Sequence, residues 1–588
     1  MFNLKSSSKL SATLLALILG ASVFMAGPVW AAKYVTDPTT GKVVQAPQYG
    51  GTLTYATPGA NWNFDPYYGW TDPQNTGVVE KLAVGNWGVS RDQWDLKSGH
   101  PIPQSALTGR LAESWEMPDD KTMIFHIRQG VRWHDKPPMN GRELTAQDVE
   151  FTFHRMLGLG DFAEDGPTPF GGAALLKGIP FESITATDDA TVVMKLKKPY
   201  LSAFHIITLN YFVYIMPPEV VQQYGDVKDW RNMVGTGPFL LTDVVEGSSV
   251  TRTRNPDYWG HDEKYPQNQL PYIDTLEWLI IPEEATLMSA MRSAKLDLRG
   301  FSGGAIYSLD AAASLRETHP DIVLHKQWFR SNQAFAANVS KPPFDDLRVR
   351  KALQMALDLE TISETYFKGE ADPTPQGMIG VQGYYIPFEE WPEEVKKGYR
   401  YDPEGAKQLL AEAGYPNGFK TRMRVYEAVG KGGYTEIAAA YWAEIGIELD
   451  IDAFKDFASY HADVFARTYE GIMGAIAGTA YDPSMSVTWY RSDAQWNRPA
   501  AEWPELDALV DGALAAQTVE EYQRLVKEAD MYSIEQHWQI WGPKAPWYYA
   551  HWPWLKGYNG EMDLGPNEDS LIFARLWLDQ DLKKAMGH

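Results

Sequence analysis

Short alternating runs and longer amphipathic runs take turns along the chain. Gly50–Ala56 (GGTLTYA) alternates polar and apolar positions and predicts a first strand. Between Trp115 and Trp133, DDKTMIFHIRQGVRW places Met123, Phe125 and Ile127 on one face and predicts a hairpin with its turn at Gln129-Gly130. Helical spacing follows. Thr145 is a candidate N-cap with Asp148 at N3, and Val149, Phe153 and Met156 form an apolar stripe. In Pro342–Ile362, Asp345 or Asp346 caps a helix in which Val349, Ala352, Leu353 and Ala356 share one face. Asp402, Pro403 and Gly414 mark the ends of another helix, and Thr518 with Glu521 opens one that runs to about Gln536. The apolar run Ile472–Ala477 predicts a buried strand that empties into Gly478-Thr479-Ala480-Tyr481-Asp482-Pro483. No internal repeat interrupts this alternation, so the class is α/β.

Length and composition sharpen the picture. At 588 residues the chain exceeds one ordinary hydrophobic core and predicts at least two lobes. The formal net charge of −23, without a basic block, excludes a polyanion partner such as nucleic acid. Lys5 and Lys9, an apolar run from Leu10 to Met25, and small residues ending at Ala31 and Ala32 have the three-part pattern of a secretory signal peptide, residues 1–31. That run is interrupted by Ser and Gly and is short for the ~20 residues of a bilayer span. No second apolar run of that length occurs, so the mature protein is expected not to be integral to a membrane. Cysteine is absent, which excludes disulfides, thiolate metal sites, cysteine nucleophiles and a lipobox cysteine, leaving a free periplasmic protein as the simplest location.

Candidate chemistry is sparse. His134-Asp135 invites a general-base reading, but no nucleophile accompanies it and a loop hydrogen bond accounts for the pair. Gly-x-Ser-x-Gly, His-Glu-x-x-His and P-loop patterns are absent, so no enzyme activity is expected. Twelve scattered histidines without His-x-His or His-x-x-x-His spacing predict no dedicated metal site, and no cofactor is expected. Aromatic residues are abundant (22 Trp, 31 Tyr, 23 Phe), with clusters at Asn61–Trp70 and Trp538–Trp554. Indole faces beside amides and hydroxyls suit a sugar ring, which raises an oligosaccharide as one ligand class; packing in the core is the other use of the same residues.

Four stretches in order, Leu111–Phe153, Val234–Gly260 (VGTGPFLLTDVVEGSSVTRTRNPDYWG), Pro342–Glu360 and Tyr401–Phe419, resemble the family 5 extracytoplasmic solute-binding proteins of ABC importers, the dipeptide, oligopeptide and nickel-binding type. The resemblance implies a two-lobed type II periplasmic-binding-protein fold with an extra subdomain inserted in lobe I. It places lobe I near 48–75, 225–330 and 540–588, the insertion near 76–224 and lobe II near 331–539. It also implies a monomer that closes on a small solute, a peptide by default, and is read by permease subunits in the inner membrane. In peptide-binding members the strand end before Asp-Pro carries an aspartate that pairs with the peptide's α-amine; matched here, that position is Thr479, which offers a hydroxyl and no charge. The ligand-binding candidates are Asn61, Trp62, Asn63 and Phe64 after the first strand, and Thr479, Tyr481, Asp482 and Trp489 after the later one.

Overall fold

The computed structural model describes residues 34–588 apart from 70–73, 95, 98–101, 103, 170–175, 302–303, 329–330, 381–382, 427–433, 455–456, 479–482, 495, 563 and 565–568. The expected signal peptide, and Thr479, Tyr481 and Asp482, lie outside the described residues.

Three larger sheets organise the molecule. The first has seven strands in the order Phe239–Val245, Ser249–Arg254, Thr275–Ile280, Thr52–Thr57, Leu298–Arg299, Pro546–His551, Val323–Trp328. The second has five, in the order Ile447–Phe454, Phe419–Tyr426, Ile472–Gly478, Ser331–Ala337, Gln539–Trp541. The third is antiparallel, with Ala112–Asp119, Thr122–Ile127, Thr191–Leu196 and Phe181–Asp188 side by side. The chain crosses from the first sheet to the second through 329–330 and returns through 542–545, so two connections join the two lobes.

The predicted first strand forms because Leu53 and Tyr55 point into the core from a central position between two parallel neighbours. Asp297, almost fully buried, anchors it. Its Oδ2 accepts the Thr54 N–H at 2.9 Å, while its Oδ1 accepts Trp554 Nε1 and Lys583 Nζ, both at 2.7 Å. One carboxylate thereby ties the beginning of the fold to its end, and those charge-assisted bonds offset its desolvation.

The predicted hairpin exists with Met123, Phe125 and Ile127 buried on one face, but its turn lies at Asp120-Lys121 and not at Gln129-Gly130. The reason is local: Asp119 accepts the Lys121 N–H at 2.9 Å and the Thr122 hydroxyl at 3.2 Å, closing the turn before the apolar run begins. The helix caps follow the sequence. Asp148 accepts the Thr145 N–H ahead of Ala146–Leu157, Asp346 caps Leu347–Met355, Asp402 caps Pro403–Glu412, and Thr518 accepts the Glu521 N–H ahead of Val519–Glu535.

The Gly235-Thr236-Gly237 motif has a steric cause. Gly237 and Phe239 donate to the carbonyls of Val78 and Gly77, each at 2.9 Å, so two backbones lie in contact. A Cβ at Gly235 would stand 1.8 Å from the Val78 oxygen, and one at Gly237 2.3 Å from the Gly77 oxygen. His134 staples the same turn: the Gly235 N–H donates to its Nδ1, and its Nε2 bonds the Gly237 carbonyl at 3.0 Å. Burial pushes its pKa down to about 4, which keeps the ring neutral as a structural hydrogen-bonding group. Gly235→Ala is expected to destabilise the protein by about 3 kcal/mol or more, because neither backbone can retreat; chemical denaturation measures it.

Asp530 sits inside the Val519–Glu535 helix and accepts N–H groups from Met378 and Ile379, holding that loop against the second lobe. Desolvation outweighs those bonds and raises its pKa to about 7. Since its folded value lies above the unfolded one, its contribution to stability is complete below the unfolded value of about 4 and is lost as pH rises through about 7. Asp530→Asn is expected to flatten the pH dependence of the unfolding midpoint between those limits and raise the midpoint at pH 8. Equal slopes for the two proteins would contradict this.

Candidate functional site

Strand directions locate the site. In the seven-stranded sheet Thr52–Thr57, Thr275–Ile280 and Leu298–Arg299 run parallel, and Val323–Trp328, paired antiparallel with Pro546–His551, runs the same way. Trp328 pairs with Pro546 at the carboxyl edge, where both connections leave. In the five-stranded sheet Phe419–Tyr426, Ile447–Phe454 and Ile472–Gly478 are parallel, and Ser331 pairs with Gly478. The connections therefore arrive at that sheet's carboxyl edge too. Both sheets turn their carboxyl edges toward the crossings, and each has a reversal of strand order there, between Thr275–Ile280 and Leu298–Arg299 in one and between Ile447–Phe454 and Ile472–Gly478 in the other. Open α/β sheets bind ligands at such edges.

The loop after Thr57 is the first lobe's main contribution. Its Asp65 is buried with Arg155, whose Nη2 lies 2.6 Å from Oδ2; Oδ2 also accepts the Val227 N–H and Oδ1 the Tyr67 N–H. Arg155 lies over the Tyr67 ring, and the Tyr67 hydroxyl donates to the Tyr214 carbonyl at 2.6 Å. These bonds make Asp65 a scaffold group. Phe64 is 1% exposed and belongs to the core of this lobe, so its ring offers no face to the cleft, unlike the sequence expectation. Asn63 is half-buried and exchanges hydrogen bonds with the Asp65 backbone. Asn61 is exposed, with its carbonyl held by Gln74, and Trp62 is half-buried against the core. The amides of Asn61 and Asn63 converge over Gly69, while Tyr68, 40% exposed, carries Lys228 Nζ 4.0 Å from its ring centre.

From the second lobe, Ile472–Gly478 leads into Pro483–Thr488 through residues outside the described set. Trp489 follows, half-buried and packed against the hydrophobic cores of both lobes. Tyr490 turns inward and is held by Gln539. The structure thus brings Trp489 to the meeting of the lobes and leaves Asn61, Trp62 and Asn63 on the loop from the opposite edge.

Sequence reasoning missed two groups. Tyr426 and Phe454 end adjacent parallel strands and meet Tyr460, with Tyr426 and Tyr460 stacked at 5.8 Å and Arg424 4.1 Å over the Phe454 ring. Their clustering depends on strand pairing across 28 residues of sequence, and no local pattern announces it. The others lie beside the crossings: Lys326 of the first sheet bonds Glu370 and holds its carboxyl below the usual range, Lys368 pairs with Asp310, and Tyr307 meets Trp547 edge-on at 4.5 Å. Of the tryptophans in the 538–554 cluster, Trp538, Trp541, Trp552 and Trp554 are buried and only Trp547 is half-exposed. That segment is core and not a stacking surface.

Among the described residues no group of three His, Asp or Glu is placed to hold a metal ion, and no helix is long and apolar enough to cross a membrane. Known proteins share this architecture. The ABC transporter-associated periplasmic binding protein DppA of Helicobacter pylori, in complex with the peptide STSA, matches with a TM-score of 0.74 at 22% identity, over 90% of this chain and 99% of that one. Heme-binding protein A of Haemophilus influenzae is 28% identical over 465 residues, 74% of this chain and 77% of that protein. Di/tripeptide-binding protein 1 of Pseudomonas aeruginosa (strain UCBPP-PA14) is 28% identical over 448 residues, 72% and 78% of the two chains. The fold is the type II periplasmic-binding-protein fold, two lobes with an added antiparallel subdomain. Residues 106–498 match the bacterial extracellular solute-binding proteins, family 5, and the chain belongs to that family.

Proposed function

We propose that this protein is the periplasmic substrate-binding component of an ABC importer, a monomer that closes its two lobes on a short peptide and presents the closed form to inner-membrane permease subunits. The observation that carries the reading is the pair of facing carboxyl edges joined by two crossings, the geometry of a hinge that encloses a solute. The peptide-bound relative of the same fold and the di/tripeptide-binding relative support the ligand class. Export by residues 1–31 accords with a family of extracellular proteins. The proposed lobe I comprises 48–75, 225–330 and 540–588, with the insertion at 76–224 and lobe II at 331–539; strand membership supports this division. The proposed contacts are Asn61, Trp62 and Asn63 from one edge and Thr479, Tyr481, Asp482 and Trp489 from the other.

An oligosaccharide is not favoured. Its case rested on Thr479 at the clamp position and on aromatic richness, and most of the tryptophans of the 538–554 cluster are occupied in the core.

A screen by thermal shift and calorimetry tests the reading, with di- to pentapeptides, their N-acetylated forms, oligosaccharides and haemin as ligands. Short peptides are expected to raise the midpoint, since a ligand at a hundred times its Kd adds about 2.7 kcal/mol to stability. Loss of the amine charge on acetylation is expected to weaken binding less than about tenfold, because the family resemblance puts an uncharged threonine, Thr479, at the clamp position. Trp489→Ala, folded by circular dichroism, is expected to lower peptide affinity at least about tenfold. A shift with sugars or haemin and none with peptides overturns the reading.

A further inference from the structure

A cavity lies on the first lobe, away from the crossings. Its volume is about 790 Å³, and its walls come from the N-terminal arm (Asp37, Lys42), from Arg91 and Lys264, and from the strands Val323–Trp328 and Pro546–His551. His325 and His551 line it from those two neighbouring strands. Val323 pairs with His551 and His325 with Tyr549, so the two histidines are diagonal neighbours on one face of the sheet. Their rings stack at 15° with centres 5.2 Å apart, and the Nε2 atoms lie 3.1 Å from each other.

The hydrogen bonds set the tautomers. His551 Nδ1 is 2.8 Å from the Trp552 carbonyl, which only a protonated Nδ1 can satisfy, so its Nε2 carries a lone pair. In a neutral pair the 3.1 Å contact then takes its single proton from His325 Nε2. Burial holds both rings neutral, with pKa values pushed down to about 3 for His325 and about 4 for His551, and the nearby Lys97 and Lys556 act in the same direction. Tyr558 braces both rings edge-on at 5.1 and 5.6 Å. The Gly560 backbone covers the far side of His325, where an added Cβ would stand 2.8 Å from Nδ1.

The geometry points to a divalent transition-metal site at the Nε2 atoms of His325 and His551, opening into this cavity. An ion about 2.0–2.1 Å from each nitrogen, at their present separation, subtends roughly 95–100°, between the octahedral and tetrahedral values. The carbonyl bonded to the opposite nitrogen of His551 is the usual outer partner of a metal-bound imidazole. Binding requires the shared Nε2 proton to leave, with His325 taking the tautomer protonated at Nδ1. No third His, Asp or Glu completes the set among the described residues, so the remaining positions fall to water or a small anion in the cavity. Lys556 favours the anion and opposes a bare dication. The site is independent of the peptide cleft: His551 stands five residues along its strand from the crossing, about 17 Å.

The test titrates untagged full-length protein with Cu²⁺ and with Zn²⁺, followed by electron paramagnetic resonance for copper and calorimetry for zinc. One ion per chain with a two-nitrogen copper signal is expected. His325→Gln and His551→Gln are each expected to lower affinity at least about tenfold and remove the two-nitrogen signal, while Lys556→Met raises affinity for the bare ion. Peptide binding by the variants reports their folding and is expected to stay unchanged. A copper spectrum without paired nitrogens in the wild-type protein, or equal affinities for wild type and folded histidine variants, overturns the assignment.

Discussion

Everything that makes this chain a receptor follows from two short crossings that leave one sheet at its carboxyl edge and enter the other at its carboxyl edge. The Trp328↔Pro546 pairing on one side and the Ser331↔Gly478 pairing on the other place both crossings at the ends where strand loops gather. Had either sheet been entered at its amino edge, the carboxyl ends of Thr52–Thr57 and Ile472–Gly478 would point away from each other. Parallel strands make the arrangement possible, because their loops at one edge are free to carry polar and aromatic groups while the strands below stay dry. Asp297 and Asp65 then hold the first lobe's edge in place, each with a buried cation or several donors, so the loop that faces the second lobe is preset.

How much of this was readable depended on the range of the interaction. Caps were readable because an aspartate or threonine and the N–H it accepts sit two or three residues apart, as at Asp346, Asp402 and Thr518. The apolar face of the first hairpin was readable for the same reason, yet its turn was misplaced. Gly130 follows the strand and draws attention as a turn residue, whereas the Asp119 side chain closes the real one. The Gly-Thr-Gly motif announced tight backbone geometry, but its cause is the carbonyls of Gly77 and Val78, more than 150 residues earlier. Family resemblance pointed to the loop after the first strand, and burial grades along it: within Asn61–Asp65, Phe64 and Asp65 are buried, Trp62 and Asn63 are half-buried and Asn61 is exposed.

Aromatic content illustrates how composition misleads at this scale. A tryptophan beside amides reads equally well as a stacking wall or as core, and burial alone decides between them. Trp538, Trp541, Trp552 and Trp554 went to the core, where the Trp554 indole N–H donates to Asp297 and that of Trp552 to the Met291 carbonyl. Tyr426 and Phe454, which do lie at a carboxyl edge, attract no notice in the sequence because each ends its own strand.

The charges beside the cleft bear on what it accepts. A carboxylate serves as an ammonium partner only if it is not already neutralised, and Asp65 of the first-strand loop is neutralised by Arg155 at 2.6 Å with two backbone N–H groups as further donors. Pulling it out to meet a ligand amine would strand the Arg155 guanidinium in the core, a loss of about 3–5 kcal/mol by the measure of broken buried pairs. Glu370 and Asp310 are likewise engaged, by Lys326 and Lys368. Asp65, Glu370 and Asp310 are thus committed to their own cations, and a ligand's ammonium would have to break one of these pairs to use them.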